Sequence, residues 1–197
     1  MSKSIRAILI GFVIALIVGF GLGYAMSGAG QDNSLLAAWC GLFVGGFVAY
    51  ILGNLSGNRS VANASEEDRQ AALARKPPLG KALLYVWRDG FVAKLAGLNV
   101  AVDGRDVAQL KAPRFTVVAI PAGAHKLTAQ FGGLAGKQNN GGEFAFDAPA
   151  GGAVAIRINV QMGMLQGTVL FSAESDIEAA RRSINAMPMT PPDVAEL

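Results

Sequence analysis

The sequence predicts two unlike parts: a two-helix transmembrane hairpin, then an all-β antiparallel sandwich of about seven strands with a C-terminal helix. Three observations predict it. Two uncharged apolar runs fill residues 7–26 and 35–55, and both carry a small residue at every fourth position. From Lys81 onward the apolar period shortens to alternation, with turn residues about every ten positions.

Each run is about 20 residues long, which a helix rising 1.5 Å per residue needs to cross a hydrocarbon core of about 30 Å. No charged residue lies between Arg6 and Asp32, nor between Asp32 and Arg59. The small residues are Gly11, Ala15, Gly19 and Gly23 in the first run, and Ala37, Gly41, Gly45, Ala49 and Gly53 in the second. Four-residue spacing lines them along one stripe of each helix, where missing side chains let another backbone approach closely. The stripes are expected to be helix-packing surfaces, within one chain or between copies. Cys40 reads as a small packing residue of the second helix, because Trp39 before it is too bulky for a lipoprotein cleavage site.

A signal peptide is the competing reading of the first run, with Lys3 and Arg6 as its basic start and Ser27 and Ala29 as a small-x-small cleavage site. The run is longer than such segments usually are, and a glycine period has no use in a discarded one, so an intact span is expected. Lys3 and Arg6 precede the first run, Arg59, Arg69, Arg75 and Lys76 follow the second, and the intervening loop carries only Asp32. The positive-inside bias then places both termini and the β domain in the cytoplasm. Tyr24, Trp39 and Tyr50 fall at the interfaces that such a hairpin would have, as anchors.

Residues 1–58 thus form the hairpin and 59–80 a linker. In the linker Ser65 followed by Glu66, Glu67 and Asp68 predicts a capped helix of about three turns, stopped by Pro77 and Pro78. Residues 81–173 form the β domain, with strands expected at 81–88, 98–102, 105–110, 115–120, 124–131, 143–147, 153–160 and 165–173; residues 91–97 read as a loop or an edge strand. Asp103 and Gly104 are the strongest hairpin signal. A helix follows over 174–187, with Ser175 and Glu178 at capping-box spacing and Ile177, Ala180 and Ile184 facing the sheet. Pro188, Pro191 and Pro192 predict a flexible or loosely docked tail over 188–197.

The run Leu83, Leu84, Tyr85, Val86, Trp87, Arg88, the stretch from Val100 to Gly104 with Val107 and Leu110, and the stretch from Ile120 to Leu127 resemble an uncharacterised bacterial domain of unknown function. That domain is usually found in envelope lipoproteins and is similar in pattern to PEGA β-sandwich modules. The resemblance spans residues 81–186 and implies a small β-sandwich; it brings no activity and no catalytic residue. A double span where that family often has a lipid, and a charge pattern that puts the domain inside the cell, depart from it.

Chemistry-bearing residues are sparse, and no catalytic, cofactor or metal site is expected. His125, the only histidine, follows a Pro-Ala-Gly turn and reads as a hydrogen-bonded turn residue, with no cysteine to join it in a zinc site. Asp103 and Asp106 flank a hairpin tip, and Arg88 beside Asp89 ends a strand. Gly132, Gly133, Gly136 and Lys137 lack the full phosphate-loop pattern and a following nucleotide-binding helix, so they read as a flexible hairpin loop with Gln138, Asn139 and Asn140 exposed. A net charge of +3 and a pI near 9.2 come without clustered cations and aromatics, which leaves nucleic-acid binding unsupported.

Neither apolar run holds the ionisable group that ion translocation usually needs. Two function classes remain. One is a non-enzymatic, membrane-anchored interaction or scaffold protein of the bacterial inner membrane, working as a homo-oligomer or membrane-complex subunit with the bilayer as its first partner and no small-molecule substrate. The other is an oligomeric glycine-zipper channel or permeability factor capped by the β domain.

Overall fold

The computed structural model describes residues 3–28, 33–163 and 166–197. Ala29, Asp32 and the expected strand start at Leu165 lie outside the described residues. The chain divides into two compact units, residues 1–57 with 133–135, and residues 58–132 with 136–197.

In the first unit two helices, α1 (Lys3–Gly28) and α2 (Ser34–Leu55), are long and apolar enough to cross a membrane. Their stripes of small residues are turned toward each other. Bulky side chains such as Ile8, Phe12, Ile17, Phe20, Phe43 and Phe47 are exposed.

The second unit begins with α3 (Glu66–Ala74). Ser65 caps it by accepting from the Asp68 amide at 3.0 Å, and the helix ends before Pro77 and Pro78. Strands β1 (Lys81–Arg88), β2 (Leu98–Val102), β3 (Arg105–Leu110), β4 (Arg114–Pro121) and β5 (Gly123–Phe131) follow. Next come a short helix α4 (Gly133–Gln138), strands β6 (Asn139–Asn140), β7 (Gly142–Ala148), β8 (Ala153–Met162) and β9 (Gly167–Glu174), and helix α5 (Ile177–Ile184). The β2–β3 turn is Asp103-Gly104, with φ of 50° and 80°, the left-handed pair that a two-residue hairpin requires.

Nine strands form two sheets, a five-stranded one in the order β4-β1-β8-β9-β6 and a four-stranded one in the order β3-β2-β5-β7. The β-rich domain and its C-terminal helix are as expected, but the strand pairing is mixed. β1 pairs parallel with β8, and β6 parallel with β9. The reason lies in β1, where Leu83 to Trp87 run apolar without alternation and every residue from Ala82 to Arg88 is buried. A strand covered on both faces belongs in the middle of a sheet, where a parallel neighbour is at home.

One face of the larger sheet, with Leu83, Tyr85, Trp87, Phe115, Val117 and Ala155, packs against Ala180 and Ile184 of α5 and against Met189. Each such buried apolar side chain contributes roughly 1.5–3 kcal/mol. The opposite face of β1 carries Arg88, whose guanidinium reaches Phe131 of the smaller sheet. The N-cap of α5 is Asp176, one residue beyond the expected Ser175. Its carboxylate accepts from the amides of both Glu178 and Ala179 at 3.0 Å, which a serine hydroxyl satisfies less well.

Two further expectations give way. The glycine-rich loop is not a plain hairpin loop, since residues 133–138 wind into α4 and Asn139 joins β9 while accepting from the Gly167 amide at 3.1 Å. The tail is docked along β4. The Thr190 amide donates to the Phe115 carbonyl, the Ala119 amide to the Ala195 carbonyl and the Leu197 amide back to the Ala119 carbonyl, so the tail covers an outer edge of the larger sheet. Glu196 anchors it between Arg75 at 2.6 Å and Lys81 at 3.0 Å, and Arg59 holds Asp193 at 2.8 Å. Its proline-broken sequence has no period because backbone pairing, the single buried Met189 and the ion pairs of Asp193 and Glu196 hold it, not a regular apolar face.

Candidate functional site: a glycine-lined helix seam

The two small-residue stripes meet as an antiparallel seam in which Gly11, Gly19, Gly41 and Gly45 each face at least two small residues of the other helix. A Cβ added at Gly11 would stand 2.5 Å from both the Ala49 Cβ and the Gly45 carbonyl oxygen. One added at Gly45 would collide with the Gly11 carbonyl and stand 2.5 Å from the Ala15 Cβ; one at Gly41 would collide with the Ala15 carbonyl. Only glycine admits backbones this close, which permits dense van der Waals contact between the two helices. Toward the loop end the seam loosens: a Cβ added at Gly19 would stand 3.6 Å from the Ala37 carbonyl oxygen, and one at Gly23 would stand 3.8 Å from the Ala37 Cβ.

Gly53 leaves this pattern: a Cβ added there would stand 3.1 Å from the Leu134 side chain. Ala7 extends the stripe by one step: it is buried and in phase with Gly11, a signal present in its spacing that the sequence reading passed over. Tyr24, Trp39 and Tyr50 are exposed, and Cys40 is half-buried in α2. Beside the seam, Phe12, Leu16, Phe20, Tyr24, Ala38 and Leu42 border an apolar groove of about 640 Å³.

In the β domain the polar candidates have structural partners. His125 Nδ1 lies 2.6 Å from an Asp103 carboxylate oxygen, and Nε2 lies 2.8 Å from the Pro121 carbonyl. Burial opposes charge on the ring, yet the bonds to Asp103 and Pro121 outweigh it and hold the imidazole above its ordinary range. Asp103 is held below its own range by His125 and by the Lys126 amide, which donates to it at 2.9 Å. Both carboxylate oxygens are therefore engaged, and Asp106 stands exposed beyond the turn. Among the described residues no three His, Cys, Asp or Glu side chains gather where a metal ion would bind.

Arg88 ends β1, but it is fully buried. Its Nη1 donates to the Ala96 and Leu110 carbonyls at 2.6 and 3.2 Å, and its Nη2 to those of Val92 and Ala93 at 3.2 and 2.7 Å. Burial lowers its pKa to about 10, leaving it charged at neutral pH. Asp89 pairs instead with Arg157 at 2.9 Å. Arg88 thus clamps the segment after β1, a role hidden in the sequence because its partners are backbone carbonyls up to 22 residues away. No protein-family model matches the chain, and no curated protein matches it.

Proposed function

We propose that this chain is a membrane-anchored, non-enzymatic accessory or scaffold protein, with α1 and α2 spanning the bacterial inner membrane and the β domain presenting strands and loops to a partner. The observation that carries the reading is the seam itself: two apolar helices spend their small residues on each other and turn Phe12, Phe20, Phe43 and Phe47 outward. Soluble proteins rarely expose so extensive an apolar surface, whereas lipid accepts it. A ring-forming channel is less favoured, because the glycines that would bring copies close are already occupied within the chain. The engagement of His125, Asp103 and Arg88 by structural partners supports a binding role over a catalytic one. The cation distribution supports cytoplasmic termini.

Crosslinking in native membranes with identification of the products tests this. A distinct membrane or cytoplasmic protein recovered with the chain is expected; recovery of the chain alone, in a fixed ring, overturns the scaffold. A reporter active only outside the cytoplasm, fused at the C-terminus, should stay silent, and its activity overturns the orientation.

A further inference from the structure

The β domain has two unlike ends. β1 runs from Lys81, paired with Pro121, to Arg88, paired with Arg114, and β2 runs from Leu98, paired with Phe131, to Val102, paired with Leu127. At the end marked by Lys81, Asp103 and His125, the one large exposed apolar side chain among the described residues is Leu79. At the Arg88 end, Phe91 is 87% exposed, Leu95 66% and Met162 61%. Lys94, also exposed, lies between the first two.

These side chains are presented by a fixed loop. Arg88 draws the carbonyls of Val92, Ala93 and Ala96 inward, and Ala93 adopts a left-handed φ of 52°. Phe91 and Leu95 are left in solvent while the polar backbone beneath them is satisfied. Beside the loop, Val92, Asn159, Val160, Gln161, Met162 and Leu170 line a groove of about 370 Å³.

The chain itself says what covers this end. Asn58 belongs to the β domain, where its amide group donates to the Leu95 carbonyl at 2.8 Å and its side-chain oxygen accepts from the Gly97 amide at 2.6 Å. Yet Asn58 follows the last residue of α2, Leu55, by only three positions, a reach of at most about 10 Å. The loop that holds Phe91 and Leu95 is therefore tied, through Asn58, to the short stretch of chain that follows α2.

We propose that the loop of residues 90–97, with Met162 beside it, is a membrane-surface anchor: Phe91 and Leu95 enter the lipid headgroup region, and Lys94 lies at the level of anionic phosphates. The proposal rests on the reading of α1 and α2 as membrane spans. An aromatic and a leucine around one lysine is the composition that seats a surface segment at the interface, the cation keeping its head in water.

The test uses the full chain with Cys40→Ala in phosphatidylcholine vesicles containing phosphatidylglycerol, spin-labelled at one position at a time: Phe91→Cys, Leu95→Cys, Arg105→Cys at the opposite end, and Phe43→Cys on the outer face of α2. Collisions with oxygen and with a water-soluble nickel complex report depth. The labels at 91 and 95 are expected to lose nickel collisions and gain oxygen collisions relative to 105, at a shallower depth than 43. If 91 and 95 match 105 while 43 is deep, the loop proposal fails and the spans stand. If 91 and 95 are shielded from both reagents, protein covers the loop and the proposal also fails. If 43 is aqueous, the spans fail and the loop anchor with them.

Discussion

The guanidinium carbon of Arg88 lies 5.1 Å from the centre of the Phe131 ring, on a side chain with no exposed surface. One cation thereby joins the two sheets and satisfies four carbonyls. Replacing it with a methionine keeps the apolar contact but strands the carbonyls of Val92 and Ala96 and leaves that of Ala93 with only the Ala96 amide at 3.0 Å. Because each buried polar group left unpaired costs about 1–3 kcal/mol, Arg88→Met is expected to lose about 3 kcal/mol or more. Urea denaturation of the full chain in micelles, followed by tryptophan fluorescence, measures this. An unchanged midpoint refutes the clamp.

The His125 pair predicts a pH dependence. The Pro121 carbonyl can only accept, so Nε2 must carry a proton, and the Asp103 carboxylate then asks for a second at Nδ1. Only the imidazolium satisfies both. Since the folded pKa lies above the ordinary 6.5, the pair's contribution is complete below that value and is lost as pH rises through the raised pKa. For Asp103 the folded pKa lies below 3.8, and stability falls as pH drops through it. As the chain has one histidine, its ring proton signal can be followed by NMR without ambiguity. Asp103→Asn, which tolerates the positive φ, should lower the His125 pKa and flatten stability between neutral and mildly alkaline pH. An unmoved titration sinks the assignment.

What was legible in the sequence is what short-range chemistry decides. Asp103-Gly104 fixes its hairpin through φ, Ser65 caps α3 through an amide three residues on, and four-residue spacing sets which helix faces meet. Long-range pairing escaped. The parallel contact of β1 with β8 joins strands some seventy residues apart (Leu83 with Ala153) and leaves as its only trace the unbroken apolar run from Leu83 to Trp87. The role of Arg88 was hidden for the same reason, and the tail was misread because amide-to-carbonyl pairing has no residue signature.

That tail gives a third prediction. Ending the chain at Met187 removes the acceptors of the Phe115 and Ala119 amides, which are the Pro188 and Ala195 carbonyls, and uncovers the outer edge of β4. Hydrogen exchange at these two amides should quicken while that in the β2–β3 hairpin changes little. An exposed edge also invites pairing with another copy, so the truncated chain should aggregate more readily. Glu196→Gln, which weakens only the clips to Arg75 and Lys81, should produce a milder form of the exchange change. Unaltered exchange at Phe115 and Ala119 after truncation would show that the tail does not protect the edge.

The seam permits a prediction with its own control, because adjacent glycines in α2 differ completely in surroundings. A side chain at Gly45 would run into the Gly11 carbonyl and Ala15, whereas a Cβ at Gly46 meets nothing within 4 Å. Gly45→Leu must therefore push the helices apart, at a cost at or above the upper end of the roughly 1–3 kcal/mol typical of overpacking. Gly46→Leu adds one more apolar side chain to an outer face and should be tolerated. The Ser4 and Ser56 hydroxyls lie 3.4 Å apart at the open end of the pair, so cysteines at these two positions, in a Cys40→Ala background, trap the closed hairpin as a disulfide. Trapping should be fast and nearly complete in the parent and in Gly46→Leu, and much reduced in Gly45→Leu. Equal trapping in both leucine variants would mean that close backbone approach at Gly45 does not hold the helices together.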